Sequence, residues 1–203
     1  RPALRAIGGA NQSNPCGRAL PVPAELRLPH YVPSGEPVAI EQTMLEYLMS
    51  YRYRQLGWCR DKSVRDTGPF IHGISYGAHP AGRIYYSPEI MQWLRNGRRG
   101  MPPDGAVIIK EQYPGKPAAA FAGATDEELR PTDWTIMIRR AAASHDGWFW
   151  AELYQGMFGD QTSRARYPLA GFGIYCLRCH ASAEKAMTFV SLQNIEGYPG
   201  TPI

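Results

Sequence analysis

The sequence predicts an α+β fold, an antiparallel β-sheet meander with a few helices on one side. Short segments rich in β-branched and aromatic residues follow one another along the chain, separated by brief turns, which favours pairing between neighbours. Only two longer segments carry helical spacing or helix-end signals. With 203 residues and a hydrophobic content of 44%, the chain can bury one sizeable core. We therefore expect a single domain.

Proline recurs throughout residues 1–38, at a density that forbids long helices. This composition predicts a Pro-rich N-terminal arm that runs extended over the body of the protein. Residues 39–203 then form the domain, which includes a C-terminal tail over residues 181–203.

Two segments predict helices. The first runs from Val38 to about Gly57. Its apolar residues recur at helical spacing, at Ile40, Met44, Leu48 and Tyr51. The second helix has Ser87 as its N-cap and Pro88 at its first position, and it stops before Gly97.

Five segments predict strands, because β-branched and aromatic residues are enriched in them. They are Phe70–Tyr76, Arg83–Tyr86, Gly105–Tyr113, Trp134–Arg140 and Trp148–Tyr154. The Asp146-Gly147 step between the last two is typical of a hairpin turn. A further stretch, Tyr167–Gly173, leads the chain to its C-terminal region.

That region holds the most specific motif of the sequence, Cys176-Leu177-Arg178-Cys179-His180. Two thiols spaced C-x-x-C and followed by His are typical of c-type haem attachment. We expect one haem c, bonded through Cys176 and Cys179, with His180 as the proximal iron ligand. A thioredoxin-like motif needs no His at that position, and a zinc site would need two further ligands. The motif itself predicts the start of a short helix.

A c-type haem indicates a compartment outside the cytoplasm, so we expect a periplasmic or otherwise extracytoplasmic protein. The sequence opens without the apolar core of a signal peptide, and we expect that an export leader has been removed. The two cysteines outside the haem motif, Cys16 and Cys59, then either form a disulfide, which we favour, or remain unrelated thiols.

Charge and hydropathy exclude several classes of partner. The net charge of +4 is mild and its basic residues are scattered, so we expect no nucleic-acid binding. The positive net charge would help the protein to dock to an acidic redox partner protein. No apolar run is long enough to span a bilayer, so we expect no membrane span. A homodimer is compatible with the sequence.

A set of ordered motifs over residues 70–181 resembles the cytochrome P-460 family and its relatives, the β-type cytochromes c′. The motifs are His79-Pro80, the run Arg83–Pro88, the run Asp104–Glu111, Trp134 with Met137, and Gly147-Trp148 ahead of the haem motif. The resemblance does not extend to the N-terminal arm or to residues 188–200.

The resemblance implies that Lys110 is bonded covalently to a meso carbon of the haem, which shifts the Soret band to the red. Alternation along a strand places Ala106, Ile108 and Lys110 on one face. The alternative is a lysine that extends past its apolar neighbours to water. The β-type cytochromes c′ lack the bond, so the fold alone does not require it.

The resemblance also implies that members with this bond oxidise hydroxylamine at an open iron site beside proton-accepting carboxylates, whereas members without it bind gases. Arg83 either lines the distal pocket or is paired on the surface at a sheet edge. Glu152 is a candidate proton acceptor, and a surface position is its alternative. We expect the Trp134–Arg140 strand to face the haem through Ile136, and its lack of a carboxylate there departs from the hydroxylamine-oxidising pattern.

The sixth iron position has six protein candidates, but an open site that takes a small-molecule ligand is the interpretation we favour. The candidates are Met137, Met157, Met187, His72, His79 and His145. His72 on a strand is the most plausible second histidine ligand, while His79 and His145 have the sequence context of exposed loops.

Two functional hypotheses follow. The first is a redox enzyme with an open haem site that acts on hydroxylamine, nitric oxide or peroxide. The second is a non-catalytic haem protein for gas binding or electron transfer, which would include a subunit of a larger redox assembly.

Overall fold

The structure is a computed structural model that describes residues 15–28, 37–158 and 169–203. Most of the N-terminal arm predicted over residues 1–38 lies outside the described residues. So does the start of the predicted Tyr167–Gly173 stretch.

The centre of the fold is a six-stranded antiparallel sheet in the order β1-β4-β5-β6-β7-β8. Its strands are β1 (Cys59–Arg60), β4 (Ala81–Tyr86), β5 (Val107–Tyr113), β6 (Asp133–Arg139), β7 (Trp148–Tyr154) and β8 (Ala170–Phe172). From β4 to β8 each strand pairs with the next one along the chain. The predicted α+β class and the antiparallel meander are confirmed.

The segment Phe70–Tyr76, predicted as one strand, forms a separate two-stranded sheet of β2 (Phe70–Ile71) and β3 (Ile74–Ser75). The chain reverses at His72 and Gly73, whose φ angles are 50° and 81°. Glycine adopts this left-handed conformation at no steric cost, which allows a tight turn here. His72 is therefore an exposed turn residue and not a strand residue.

The described residues contain three α-helices: α1 (Pro37–Met49), α2 (Pro88–Arg95) and α3 (Leu177–His180). Short 3-10 helices lie at Ala24–Leu26, Arg52–Gln55, Ala118–Phe121 and Leu192–Asn194. The start of α2 agrees with the prediction, and α3 begins inside the predicted haem motif. Helix α1 ends eight residues before Gly57, because Tyr51 takes a left-handed φ of 56° and the chain continues as a 3-10 turn.

The sheet is covered on both faces. Helix α1 packs through Met44 and Leu48 on one face, and helix α2 packs through Ile90 and Leu94 on the other. The prediction that the helices lie on one side is thereby corrected. Successive side chains of each central strand point to opposite faces of the sheet, so the side chains on both faces need an apolar cover. We call the sheet face that meets α2 the α2 face, and the opposite one the α1 face.

Cys16 and Cys59 are joined by a disulfide, with 5.1 Å between their Cα atoms. The bond ties the segment 15–28 to the edge strand β1, and it confirms the predicted pairing. None of the helices among the described residues has the length and apolar character needed to cross a membrane.

Candidate functional site

A row of four half-exposed side chains crosses the α2 face of the sheet. The pairing of β4, β5, β6 and β7 aligns Ile84, Lys110, Thr135 and Glu152 side by side. The next row toward α2 is buried, and it consists of Tyr86, Ile108, Met137 and Trp150. The α2 face is therefore covered beside α2 and partly open along this row, which we call the open row.

Lys110 stands in the middle of the open row, with its side chain lying across Gly82 on the neighbouring strand. A Cβ added to Gly82 would lie 2.7 Å from Lys110 Cε, so only glycine leaves the path free. Burial and the Arg65 guanidinium lower the pKa of Lys110 to about 7, although Asp61 and Glu152 act in the opposite direction. An amine with this pKa is partly neutral at physiological pH.

The C-terminal motif positions His180 for binding a metal through one defined nitrogen. Its Nδ1 lies 2.7 Å from the Met187 carbonyl oxygen. A carbonyl only accepts hydrogen bonds, so Nδ1 carries the proton and Nε2 keeps its lone pair. The rings of Trp150 and Phe189 flank the imidazole at centroid distances of 4.7 and 5.5 Å. Protein contacts alone thus fix the orientation of the imidazole.

The two motif cysteines are free thiols, and Cys176 lies beside the end of the open row. The hydroxyl of Tyr175 donates a hydrogen bond to Glu152, which joins the residue before Cys176 to strand β7. Burial and the Glu152 carboxylate together raise the pKa of Cys176 to about 12. Cys179 is exposed. Glu152, a predicted proton acceptor, therefore lies between Lys110 and the motif.

Two further polar residues on the α2 face, Gln112 and Asp133, were not identified as site residues from the sequence. Gln112 and Asp133 are paired with each other, one row beyond Lys110 and Thr135. Burial and the Glu152 carboxylate raise the pKa of Asp133. The alternation that placed Ala106, Ile108 and Lys110 on one face, extended by one step, would have identified Gln112.

His79 is half-buried and not an exposed loop residue, which corrects the prediction from its sequence context. Burial, together with the nearby Lys110 and His180, lowers its pKa to about 4. The Gln112 side chain acts in the opposite direction by hydrogen bonding. The loop before β4 thus brings an imidazole to the same polar group as Lys110.

Arg83 lies on the α1 face, away from Lys110. Its guanidinium donates to Asp126 Oδ1 at 2.9 Å and to the Tyr85 hydroxyl at 2.6 Å, and its Nε lies 3.5 Å from Glu111 Oε2. Only 5% of the residue is exposed. Both predicted alternatives, the distal pocket and the surface edge, are wrong, because Arg83 pairs opposite Glu111 and not opposite Lys110.

Ile136 also lies on the α1 face, where it is buried in the core beside Trp134 and Ile138. The prediction of Ile136 as a haem contact is corrected by the register of β6. The side chains that β6 presents next to Lys110 are Thr135 and Met137, with Asp133 one row away. A carboxylate is therefore present on this face of the strand, contrary to the expectation.

The candidates for a sixth iron ligand are separated by the fold. Met157 is buried in the core of the α1 face, and Met187 is held on the His180 side through its carbonyl. His72 and His145 are exposed in turns. Met137 and His79 remain on the face that carries Lys110.

The residues present fit a covalently attached haem. Two free thiols, an imidazole with a free Nε2 and a partly open row of side chains lie together. Gln112 adds a second indication, since it is only 1% exposed and its amide nitrogen has no hydrogen-bond partner among the described residues. A bound group that covers the open row would bury Lys110 and offer acceptors to such donors.

Comparison with known proteins agrees with this chemistry. The family model for cytochrome P460 matches residues 53–190, a range that includes the open row and the C-x-x-C-H motif. No curated protein and no solved structure matched the chain.

Proposed function

The chain belongs to the cytochrome P460 family of c-type haem proteins, and we propose that it is a mono-haem redox enzyme that oxidises a small nitrogen compound such as hydroxylamine. The observation that carries this proposal is the pair of carboxylates, Glu152 and Asp133, beside Lys110 on the open face of the sheet.

Four residues are assigned to holding the haem in this proposal. Cys176 and Cys179 would hold the haem through two thioethers, His180 Nε2 would be the iron ligand, and Lys110 would be the residue joined to the macrocycle. When bound, the haem supplies an iron position for the small molecule and accepts its electrons. The lowered pKa of Lys110 supports its part, because an amine must lose its proton before it can form a new bond through its lone pair.

The carboxylates take up protons. When hydroxylamine is converted to nitric oxide, each electron that leaves is accompanied by a proton, and the electrons pass on to a redox partner protein. Glu152 is half-exposed and close to Lys110, so it can accept a proton in the pocket and return it to water. Asp133, whose pKa is raised by burial and by Glu152, is the second acceptor in the same group.

One observation favours the second candidate function, a non-catalytic protein that binds a gas such as nitric oxide or carries electrons. Lys110 is bordered by the apolar side chains of Ile84, Ile108 and Met137, which suit an uncharged diatomic ligand. In this case the carboxylates have no catalytic role, and Lys110 is not bonded to the macrocycle.

The first experiment is an optical spectrum of the purified ferrous protein, compared with its denatured pyridine haemochrome. A strongly red-shifted Soret band without a normal c-type haemochrome supports the Lys110 bond, and a hydroxylamine oxidation assay follows. The variant Lys110→Met should restore an ordinary c-type spectrum. An ordinary spectrum in the wild type contradicts the bond, and carbon monoxide binding to the ferrous iron then separates gas binding from electron transfer.

We also propose an extracytoplasmic location, with a redox partner protein as the electron acceptor and with peroxide as an alternative substrate. The disulfide between Cys16 and Cys59 supports an oxidising compartment. Fractionation of cells that express the full-length gene tests the location, and mass measurement in solution tests for a homodimer.

A further inference from the structure

Gln112 is a buried polar residue with an unused hydrogen-bond donor in the candidate haem site. It lies in β5 two residues after Lys110, so the two side chains share a face. Only 1% of the residue is exposed, and its Nε2 atom has no hydrogen-bond partner among the residues that the structure describes. Native proteins rarely leave a buried N–H without an acceptor, because the group loses its hydrogen bonds to water and gains none.

The surroundings of Gln112 indicate which end of the amide is unused. A hydrogen bond with the Gln112 amide raises the pKa of His79. This is the effect of an amide oxygen that accepts a hydrogen bond from the imidazole. Nε2 is the amide atom without a partner, so the hydrogen bond with His79 is assigned to the oxygen end. On its two sides Gln112 is paired with Gly82, which has no side chain, and with Asp133. The Lys110 side chain lies across Gly82, so Lys110 and Asp133 are the polar neighbours of the amide.

We propose that Gln112 positions a bound group in the haem pocket by donating a hydrogen bond from Nε2 to an oxygen atom of that group. The inference rests on the proposed haem site. Two groups could supply the oxygen, a small molecule bound at the iron or a carboxylate of the porphyrin. The chemistry is the same in both cases, an oxygen acceptor that none of the described residues provides.

The test compares Gln112→Met, which keeps the length of the side chain and removes the donor, with the matched control Gln92→Met on the exposed side of α2. The probe is carbon monoxide on the ferrous protein, followed by the C–O stretching frequency in the infrared. A donor to the ligand oxygen lowers this frequency, so Gln112→Met should raise it and Gln92→Met should not. Hydroxylamine should bind Gln112→Met about tenfold more weakly, as expected for one lost hydrogen bond.

A second arm distinguishes the two sources of the oxygen. Resonance Raman spectra report the bending modes of the porphyrin carboxylates, and a redox titration over pH reports their ionisation. If these change in Gln112→Met while the C–O frequency does not, the acceptor is a porphyrin carboxylate. If the C–O frequency alone changes, it is the iron ligand. If neither changes, the proposal is overturned.

Gln112→Glu serves as the second variant, because it keeps the length and the polarity but replaces the NH₂ group by oxygen. It should change the same observable as Gln112→Met. The haem content and the carbon monoxide binding of the wild type report on the proposed function separately. A wild type without haem or ligand overturns both proposals, whereas a normal wild type with unchanged variants overturns only the role of Gln112.

Discussion

The side chain of Lys110 lies so close to Gly82 that a Cβ on Gly82 would be 2.7 Å from Lys110 Cε. The same Cβ would lie 2.7 Å from the Glu111 carbonyl oxygen. The absence of a side chain at one position of β4 therefore determines the path of the lysine on β5.

Gly82→Ala should displace Lys110 from this path, because both contacts are far shorter than real Cβ contacts. We expect a protein that still carries haem but has lost the red-shifted Soret band of the Lys110 bond. The optical spectrum measures the bond, and haem stain on a denaturing gel measures attachment.

A double-mutant cycle with Lys110→Ala separates the two contacts of the new methyl group. The truncation removes the contact with the lysine and leaves the contact with the Glu111 carbonyl, so Gly82→Ala should cost less stability in the Lys110→Ala background. An equal cost in both backgrounds would show that the lysine is not confined by Gly82.

Glu152→Gln should lower kcat for hydroxylamine oxidation by about 10²–10⁴-fold, the usual contribution of a general base. The amide keeps the size of the side chain but takes up no proton at neutral pH. Steady-state kinetics at several pH values measure the effect, with haem content as a check on assembly. Glu184→Gln removes an exposed carboxylate near the haem motif and should leave kcat unchanged. Equal kcat values for the two variants would exclude Glu152 as the proton acceptor.

Glu111→Gln should destabilise the protein by about 3–5 kcal/mol, the typical cost of removing one partner of a buried ion pair. Glu111 is fully buried and accepts hydrogen bonds from Arg54 and from the hydroxyls of Tyr53 and Tyr113, with the Arg83 guanidinium close by. Denaturant unfolding measures the change in the free energy of unfolding.

The control for this variant is Glu127→Gln, since Glu127 is exposed on a neighbouring turn. Its free energy of unfolding should stay within about 0.5 kcal/mol of the wild type. A similarly small effect of Glu111→Gln would mean that the buried arginines do not depend on this carboxylate.

Asp126→Asn should remove part of the dependence of stability on pH in acid. Burial opposes ionisation of Asp126, but hydrogen bonds from Arg60 and Arg83 outweigh it, so its pKa is lowered. A carboxyl with a lowered folded-state pKa contributes stability above its unfolded value, about 4, and loses it as the pH falls through the folded value. The stability difference between wild type and Asp126→Asn should therefore be constant from about pH 5 to 7 and shrink below about pH 4.

Thermal unfolding at a series of pH values tests whether the stability difference between wild type and Asp126→Asn shrinks in acid. A difference that grows as the pH falls would contradict the assignment of the ion pairs between Asp126 and the two arginines.

Local signals in the sequence were sufficient for the elements and for the cofactor class. The Ser87-Pro88 start of α2 and the strands of the meander follow from residue preferences over a few positions. The haem motif is likewise local, since the spacing of Cys176, Cys179 and His180 is a property of a single turn of chain.

Local signals were not sufficient for the boundaries set by distant contacts. Helix α1 ends before Gly57 because the chain turns at Tyr51 and then passes close to Arg18, whose carbonyl oxygen lies 2.5 Å from the Cβ position of Gly57. The hairpin at His72 likewise divides a segment whose composition alone favours one strand.

The sequence by itself determined the set of chemical groups: two thiols and an imidazole at fixed spacing, and a lysine on the same strand face as Ile108. The tertiary structure alone decided which side chains accompany them. Alternation tells which residues of one strand share a face, but only the register between strands places Thr135 opposite Lys110 and turns Ile136 to the α1 face. The same register places Arg83 opposite Glu111, because a shift of one residue exchanges the two faces of a strand.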